Sequence, residues 1–268
     1  MNEKTNRREF TKRAIAASVA ASCGLAFDGG GKLYAQAGGI TDEDILNFAL
    51  NLEYLEAEFY TVATTGKRIA DLGIDISGRT RQGATTGGGK VALDSRVQVV
   101  ADQIALDEQA HVKLLRSALR SSAVAKPSIN LEALGLGFRT QAEFLTVASI
   151  FEDAGVSAYR GAAPLIQNRD ILSVAAGIAL TEGQHAGVLR YLASDLDFKL
   201  AVPSVDPKAV PPLGQPPAPP TTNGGRLFFV EGLGLSPART VKEVLMVVYG
   251  GTPTKGGFFP DGVNGKIA

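Results

Sequence analysis

The chain has 268 residues, 45% of them hydrophobic and 20% charged, which is typical of a globular protein. Its 27 Lys and Arg residues balance its 27 Asp and Glu residues, so the net charge favours neither nucleic acid nor an anionic membrane as a partner. No stretch reaches the roughly 18 consecutive apolar residues that a membrane-spanning helix needs.

The first 37 residues are predicted to be an export signal. Asn6 to Arg13 places two adjacent arginines before a phenylalanine and further basic residues, a pattern similar to the twin-arginine signal. An alanine-rich apolar run covers residues 14–27, and Ala35-Gln36-Ala37 offers a cleavage site that would leave Gly38 as the mature start. We therefore expect the chain to use the twin-arginine export machinery and to reach the periplasm or the exterior.

One cysteine, Cys23, occurs in the chain, and it precedes the predicted cleavage site. The mature chain is then predicted to contain no cysteine. This excludes disulfides, thiolate catalysis and cysteine-ligated zinc or iron–sulfur sites.

Four helices are predicted between residues 38 and 200, because apolar residues recur there at helical spacing. Their predicted ranges are 41–65, 93–121, 140–164 and 171–193. Thr41 and Thr140 provide N-caps, and Pro164 kinks or ends the third helix. We therefore predict an all-α fold, a four-helix bundle built from two helical hairpins.

The segments outside these helices differ in composition. Residues 66–92 are rich in glycine and are predicted to be an insertion that takes no part in the core. Residues 201–225 are predicted to be a linker, since eight of the 13 prolines lie between Pro203 and Pro220. Residues 226–268 are predicted to be an appendage that packs on the bundle, with a short helix over 241–249.

Glycine also occurs inside the fourth predicted helix, at Gly177, Gly183 and Gly187. A glycine in a helix interior lowers helix stability by about 1 kcal/mol relative to alanine. We therefore expect these glycines to permit close approach of a neighbouring helix.

The two histidines of the chain both stand three residues after a glutamate. Glu108 precedes His111 on the second predicted helix, and Glu182 precedes His185 on the fourth. Side chains at positions i and i+3 share one helix face with Cβ atoms about 5–6 Å apart, so both can reach one metal ion. One such pair would more often be a solvated ion pair, but two on corresponding helices are what a dinuclear carboxylate site in a bundle requires.

A second pattern, a glutamate followed seven residues later by a tyrosine, occurs on the first and third helices. It relates Glu53 to Tyr60 and Glu152 to Tyr159, so the first two helices look like a duplicate of the last two. Glu56 shares a helix face with Glu53, but the spacing to the tyrosine favours Glu53 as a ligand. The two tyrosines either pack in the core or support the ligands.

Four carboxylates and two imidazoles suit iron or manganese, and zinc less specifically. Buried together, the carboxylates would repel one another unless cations neutralise them. We therefore predict two Fe or Mn ions bound by six side chains: Glu53, Glu108, His111, Glu152, Glu182 and His185. Beyond these ligands we predict no catalytic residue and no organic cofactor. Asp107, Gln109 and Gln184 are expected on solvated positions or in support of the ligands.

Residues 42–195 resemble the ferritin-like superfamily, whose members include rubrerythrin, bacterioferritin and manganese catalase. The resemblance implies a ferritin-like four-helix bundle in which Glu53 and Glu152 are terminal carboxylates. It also implies that Glu108 and Glu182 bridge the two metals, and that each histidine binds one of them.

The C-terminal part narrows this resemblance. The proline-rich linker, the short helix and the glycine-rich segment 255–265 are similar to secreted ferritin-like proteins known as desiccation-related proteins in plants and bacteria. The tail departs from that of cage-forming ferritins, which argues against bulk iron storage in a cage.

The resemblance implies redox chemistry on hydrogen peroxide or dioxygen in stress defence, of the catalase or peroxidase type. The alternative is a non-catalytic metal-binding protein of stress or desiccation. A third interpretation is a ferroxidase that feeds a small iron store, which would require a closed oligomer. A homo-oligomer is compatible with all three.

Overall fold

The structure is a computed structural model that describes residues 39–196, 230 and 234–268. The predicted export signal and the proline-rich linker lie outside the described residues. The helices are α1 (Asp42–Thr65), α2 (Ser95–Leu119), α3 (Gln141–Ala162), α4 (Arg169–Asp195) and α5 (Val241–Val248). Single turns of 3-10 helix occur at Ile69–Leu72, Arg120–Ser122 and Ala163–Leu165. Two short strands, β1 (Thr85–Thr86) and β2 (Ile129–Asn130), pair in parallel.

Helices α1 to α4 form the bundle. Helix α1 packs mainly against α2, and α3 mainly against α4, while contacts of α1 with α3 and of α2 with α4 join the two pairs. This is the arrangement of a bundle built from two helical hairpins, so the predicted all-α fold is confirmed. None of the described helices is both long and apolar enough to cross a membrane.

Polar side chains fix where the helices begin. Asp94 accepts hydrogen bonds from two backbone N–H groups at the start of α2, and Asn168 does the same for α4. Thr140 caps α3 as the sequence predicts. Helix α2 therefore begins at Ser95, later than predicted, and α4 begins at Arg169, earlier than predicted, because the capping side chains satisfy the free N–H groups there.

Helix α1 is the most enclosed helix of the bundle. Every residue from Asp44 to Thr64 is buried, including polar side chains that the apolar periodicity would place at the surface. C-terminal residues cover one side of it: Asn51 donates to the backbone oxygen of Asn264 and accepts from its backbone N–H, both at 2.8 Å. The acidic side chains in the middle of α1, those of Glu53, Glu56 and Glu58, are therefore shielded from bulk water.

Residues 66–92, which were predicted to lie outside the core, contribute to it. Ile69 and Val91 are buried, and β1 of this segment pairs with β2. The buried ammonium of Lys126 donates to Oγ1 of Thr85 at 2.8 Å and so anchors the segment. The prediction was wrong here because isolated apolar residues among glycines leave no periodic signal.

Residues 234–268 lie against the bundle at several points. The rings of Phe258 and Phe151 of α3 pack edge to face, with centroids 4.8 Å apart. The buried Arg239 donates to the backbone oxygen of Asp153 at 2.9 Å. These contacts support α3.

The glycines of α4 do not mediate close helix approach. A Cβ atom added at Gly177, Gly183 or Gly187 would meet no atom within 4 Å among the described residues, so the expectation from the sequence was wrong. Close approach occurs on α3 instead. A Cβ at Gly161 would overlap the backbone oxygen of Arg239, which packs directly on that helix.

Candidate metal centre

The structure brings together all six predicted ligands in the middle of the bundle. Helices α1 and α3 contribute one glutamate each, and α2 and α4 contribute one Glu-x-x-His pair each. The four carboxylates are fully buried, while His111 and His185 are 7% and 5% exposed. Residues at positions i and i+3 share one helix face, so the glutamate and the histidine of each Glu-x-x-His pair are buried together.

The six side chains form two overlapping groups, each with the donor atoms to hold a metal ion. One group is Glu53, Glu108, His111 and Glu182, and the other is Glu108, Glu152, Glu182 and His185. Within each group the donor atoms lie within 4.8 Å of one another. Glu108 and Glu182 belong to both groups, and each comes from a helix that also carries a histidine.

Each histidine points its Nδ1 atom at the carboxylates. Nδ1 of His111 lies 3.2 Å from Oε2 of Glu53 and 3.1 Å from Oε2 of Glu108. Nδ1 of His185 lies 3.1 Å from Oε2 of Glu152 and 3.1 Å from Oε1 of Glu108. Imidazole nitrogen and carboxylate oxygen thus converge, as a site for iron, manganese or zinc requires.

The carboxylate of Glu182 shows why these residues fit a cation. Both of its oxygens are buried, and neither receives a hydrogen bond from the described part of the chain. Nδ1 of His111 lies 3.5 Å from its Oε1, but a buried carboxylate that accepts no hydrogen bond is strongly unfavourable unless further positive charge neutralises it. A cation held by Glu182 and Glu108 would provide that charge.

The cluster holds more negative charge than two imidazoles can balance. Burial raises the pKa of Glu182 well above its usual value, and neighbouring carboxylates add to the shift. Burial also raises the pKa of Glu108 to about 7, although hydrogen bonds to both histidines oppose it. Burial by itself lowers the pKa of His111, but hydrogen bonds to Glu108 and Glu53 outweigh it and raise that pKa to about 10. Without cations the site therefore takes up protons, and cation binding must release them.

Two buried tyrosines hold Glu152 and Glu53 across the repeat. The hydroxyl of Tyr60 donates to Oε1 of Glu152, and that of Tyr159 donates to Oε1 of Glu53, each at 2.5 Å. Each tyrosine therefore supports the glutamate of the other hairpin. The ring of Tyr60 also packs edge to face on Phe144, so core packing and ligand support, which the sequence leaves as alternatives, occur together.

Asp107 supports one of the two histidines. Its Oδ2 atom lies 3.3 Å from Nε2 of His185, on the far side of the ring from the carboxylates. A carboxylate at this nitrogen fixes the ring and leaves Nδ1 free to bind a metal. At the corresponding position before Glu182, the hydroxyl of Thr181 donates to a carbonyl of its own helix. The two halves of the site therefore differ.

The two glutamines named from the sequence take no part in the centre. Gln109 donates to the hydroxyl of Thr61 at 2.9 Å. Gln184 is exposed to solvent. Gln109 thus links α2 to α1 without reaching a ligand.

Sequence reasoning missed two residues beside the ligands. Glu56, set aside in favour of Glu53, is 3% exposed and faces the same cluster. Gly155 of α3 lies where a Cβ would overlap Oε2 of Glu182, so a glycine there leaves room for that carboxylate. The repeat relates these two positions in the sequence, because Glu56 follows Glu53 by three residues just as Gly155 follows Glu152.

The region that holds the six predicted ligands is similar to known proteins. A family model described as a ferritin-like domain matches residues 41–195. The chain is 26% identical over 271 residues to the ferritin-like catalase Nec2 of Nesocodon mauritianus, with 85% of each chain covered. It is 23% identical over 188 residues to the desiccation-related protein PCC13-62 of Craterostigma plantagineum, with 63% of this chain and 57% of that protein covered.

Proposed function

The chain belongs to the ferritin-like domain family, and on this premise we propose that it binds two iron or manganese ions and acts on hydrogen peroxide in stress defence. The observation that carries the proposal is the pair of overlapping, fully buried ligand groups that share Glu108 and Glu182. Two groups with two shared carboxylates suit two neighbouring cations. Four carboxylates also balance the charge of two divalent ions.

The six ligands would divide between the two ions. Each ion would take one histidine and one terminal glutamate, and Glu108 and Glu182 would contribute to both. When bound, the ions would supply the two-electron change that reduction or oxidation of hydrogen peroxide requires. The chain itself fixes the donor atoms and excludes bulk water from them.

The tyrosines determine which carboxylate oxygen faces the site. The hydroxyl of Tyr159 holds Oε1 of Glu53 and leaves Oε2 directed at His111. Burial raises the pKa of Glu53, but hydrogen bonds and charge attraction from His111 outweigh it and bring that pKa below its usual value. Glu53 is therefore kept anionic and oriented, as a terminal ligand must be. Tyr60 orients Glu152 in the same way.

Hydrogen peroxide as the substrate is supported by the similarity to a protein named as a catalase. Disproportionation converts two H2O2 into two H2O and one O2, so that hydrogen peroxide is both the oxidant and the reductant. No separate electron donor is then needed. A peroxidase, or an enzyme that uses dioxygen, would need an external donor, because the predicted mature chain has no cysteine for an internal relay.

A second candidate function is metal binding without catalysis. The similarity to a desiccation-related protein favours it. The same centre would then sequester metal or stabilise the bundle, with no turnover of hydrogen peroxide. A ferroxidase that feeds an iron store would in addition need a closed oligomer.

We also propose that the twin-arginine pathway exports the chain after it has folded and bound metal. The proposal rests on the sequence pattern of the first 37 residues, which the structure does not describe. Replacing both Arg7 and Arg8 by lysine should retain the protein in the cytoplasm, as fractionation would show. Export that continues unchanged would contradict the proposal.

Elemental analysis of the purified mature chain, together with oxygen release from hydrogen peroxide, tests the function. We expect about two iron or manganese ions per chain and one O2 for every two H2O2 consumed. Glu182→Gln is a matched control, because it keeps the side-chain shape and removes a shared charge. Two ions without oxygen release would support the non-catalytic function. A wild-type chain without metal would refute both candidates.

A further inference from the structure

An apolar pocket lies where the first half of α1, the end of α3 and the start of α4 meet. Nine of its ten lining residues are alanine, leucine, isoleucine or phenylalanine, and the tenth is Tyr159. The pocket holds about 360 Å³ of empty space when the part that opens to solvent is included. This volume is at the lower end of the range for small-molecule sites, so the occupant can have only a few heavy atoms.

Small molecules can reach the lining of this pocket from outside. Ile45, Phe48 and Ala49 of α1 line it and keep 7%, 7% and 8% of their surface exposed. Leu50 and Tyr54, which lie on the same helix but do not line the pocket, are 0% exposed. The residual exposure of α1 is therefore greater on the side of the pocket.

The pocket adjoins the proposed metal centre. Tyr159 lines the pocket, and its hydroxyl donates to Oε1 of Glu53 at 2.5 Å. Ala49 also lines the pocket and stands one turn before Glu53 on the same face of α1. On α4, Ala175 of the lining stands two turns before Glu182. Two turns of helix extend about 10 Å, so a molecule in the pocket lies close to the predicted ligands.

The chemistry of the lining selects against water and hydrogen peroxide. Among the described residues that line the pocket, Tyr159 contributes the one polar side-chain group, and its hydrogen is already donated to Glu53. A buried water molecule needs two to four polar partners. Hydrogen peroxide has two O–H groups and would likewise lose hydrogen bonds on entry. Dioxygen has no O–H group and loses none.

We propose that this pocket binds dioxygen, which the disproportionation of hydrogen peroxide forms in the neighbouring centre. The inference rests on the proposed function, since that function supplies the dioxygen. The polar substrate then stays among the carboxylates, while the apolar product moves to apolar surroundings. Dioxygen that has moved into the pocket no longer fills the space that the next hydrogen peroxide needs.

The first test uses dioxygen itself on the mature chain prepared with zinc, which is diamagnetic. Dioxygen is paramagnetic, so it speeds the NMR relaxation of methyl groups close to it. Under dioxygen pressure the methyl groups of Ala49 and Ala175 should relax faster than those of Leu50 and Leu115, which are 0% exposed and lie outside the pocket. They should also relax faster than the exposed methyl group of Ala176, which reports dioxygen in bulk solvent. An enhancement at Ala49 and Ala175 that is no greater than at these controls would overturn the inference.

The second test fills the pocket. Ala162→Leu and Ala175→Leu add bulk to it from α3 and α4, so one variant remains if the other fails to fold. Xenon, which binds in apolar cavities, is detected by its NMR shift. The wild type should bind xenon and each folded variant should lose that binding. Ala176→Leu is the matched control, because Ala176 lies beside Ala175 but is exposed, and it should bind xenon as the wild type does.

The other results separate the inference from the proposed function. Xenon binding that persists in the folded pocket variants would overturn the inference even if the wild type releases oxygen from hydrogen peroxide. An apolar organic molecule extracted from the purified chain in a one-to-one amount would also overturn it, because the pocket would then be the site of that molecule. A wild-type chain that holds no metal and releases no oxygen would refute the proposed function, whatever the relaxation measurement shows.

Discussion

Gly155→Ala tests whether Glu182 must stay where the structure places it. The added Cβ would overlap Oε2 of Glu182 and lie 3.0 Å from its Cδ. The carboxylate would have to move by about 1 Å to reach an ordinary contact. Because this group is the end of a flexible side chain, it can move without a change in the fold. A displacement of that size at a shared ligand should weaken metal binding by about 100-fold.

The stability of the metal-free chain should change in the other direction. Alanine is favoured over glycine in a helix interior by about 1 kcal/mol, and residue 155 lies well inside α3. With metal in excess, a 100-fold weaker affinity removes about 2.7 kcal/mol of the stabilisation that binding provides. The variant should therefore melt at or above the wild-type temperature without metal, and below it with metal.

Thermal melts with and without zinc, together with calorimetric zinc titration, measure both effects of Gly155→Ala. Gly177→Ala is the matched control, because a Cβ there would meet no described atom within 4 Å. It should raise the melting temperature by a similar amount with and without zinc. If Gly155→Ala bound zinc as tightly as the wild type, the reasoning would be refuted, because the position of Glu182 would then not depend on the absence of a Cβ at residue 155.

Three further experiments test the proposed centre and the buried ion pair of Lys126 with Glu58. Asp107→Asn should weaken metal binding by about 10- to 100-fold, because it removes the charge that holds His185; an unchanged affinity in a calorimetric titration would contradict this. Lys126→Met should lower the free energy of unfolding by about 3 kcal/mol, because Glu58 then stays buried without its cation. Urea unfolding would measure the loss, and adding Glu58→Gln should recover part of it. Removing metal with a chelator should lower the melting temperature, and adding manganese back should restore it; equal melting temperatures would show that the folded chain binds no metal.

The cluster of six buried side chains could be predicted because its sequence signals are local. Glu108 and His111 are three residues apart, so one turn of helix brings them together whatever the rest of the chain does. Glu53 and Glu152 are each predicted from their spacing to a tyrosine, and the same spacing occurs twice. The helices carried similar local signals in their caps and apolar periods.

The residues around the ligands could not be predicted, because their role depends on what faces them across the bundle. Glu56 has the same local pattern as a solvated glutamate, and only Gly155 on another helix shows the space that it uses. Ile69 is buried by tertiary contacts, which no apolar periodicity in the sequence indicates. The prediction that the glycines of α4 permit close helix approach was wrong because a glycine on an open helix face cannot be distinguished in sequence from one at a close approach.

The crossed tyrosines mean that neither hairpin carries a complete centre of its own. Tyr60 of the first hairpin holds Glu152 of the second, and Tyr159 of the second holds Glu53 of the first. Each ligand group also takes a shared glutamate from the other hairpin. Two separate copies of one hairpin would reach this arrangement only by dimerising, to an extent set by their concentration. Joining them in one chain replaces that concentration by an effective one that is roughly millimolar for a short connection, so the tandem chain can assemble its centre however dilute it is.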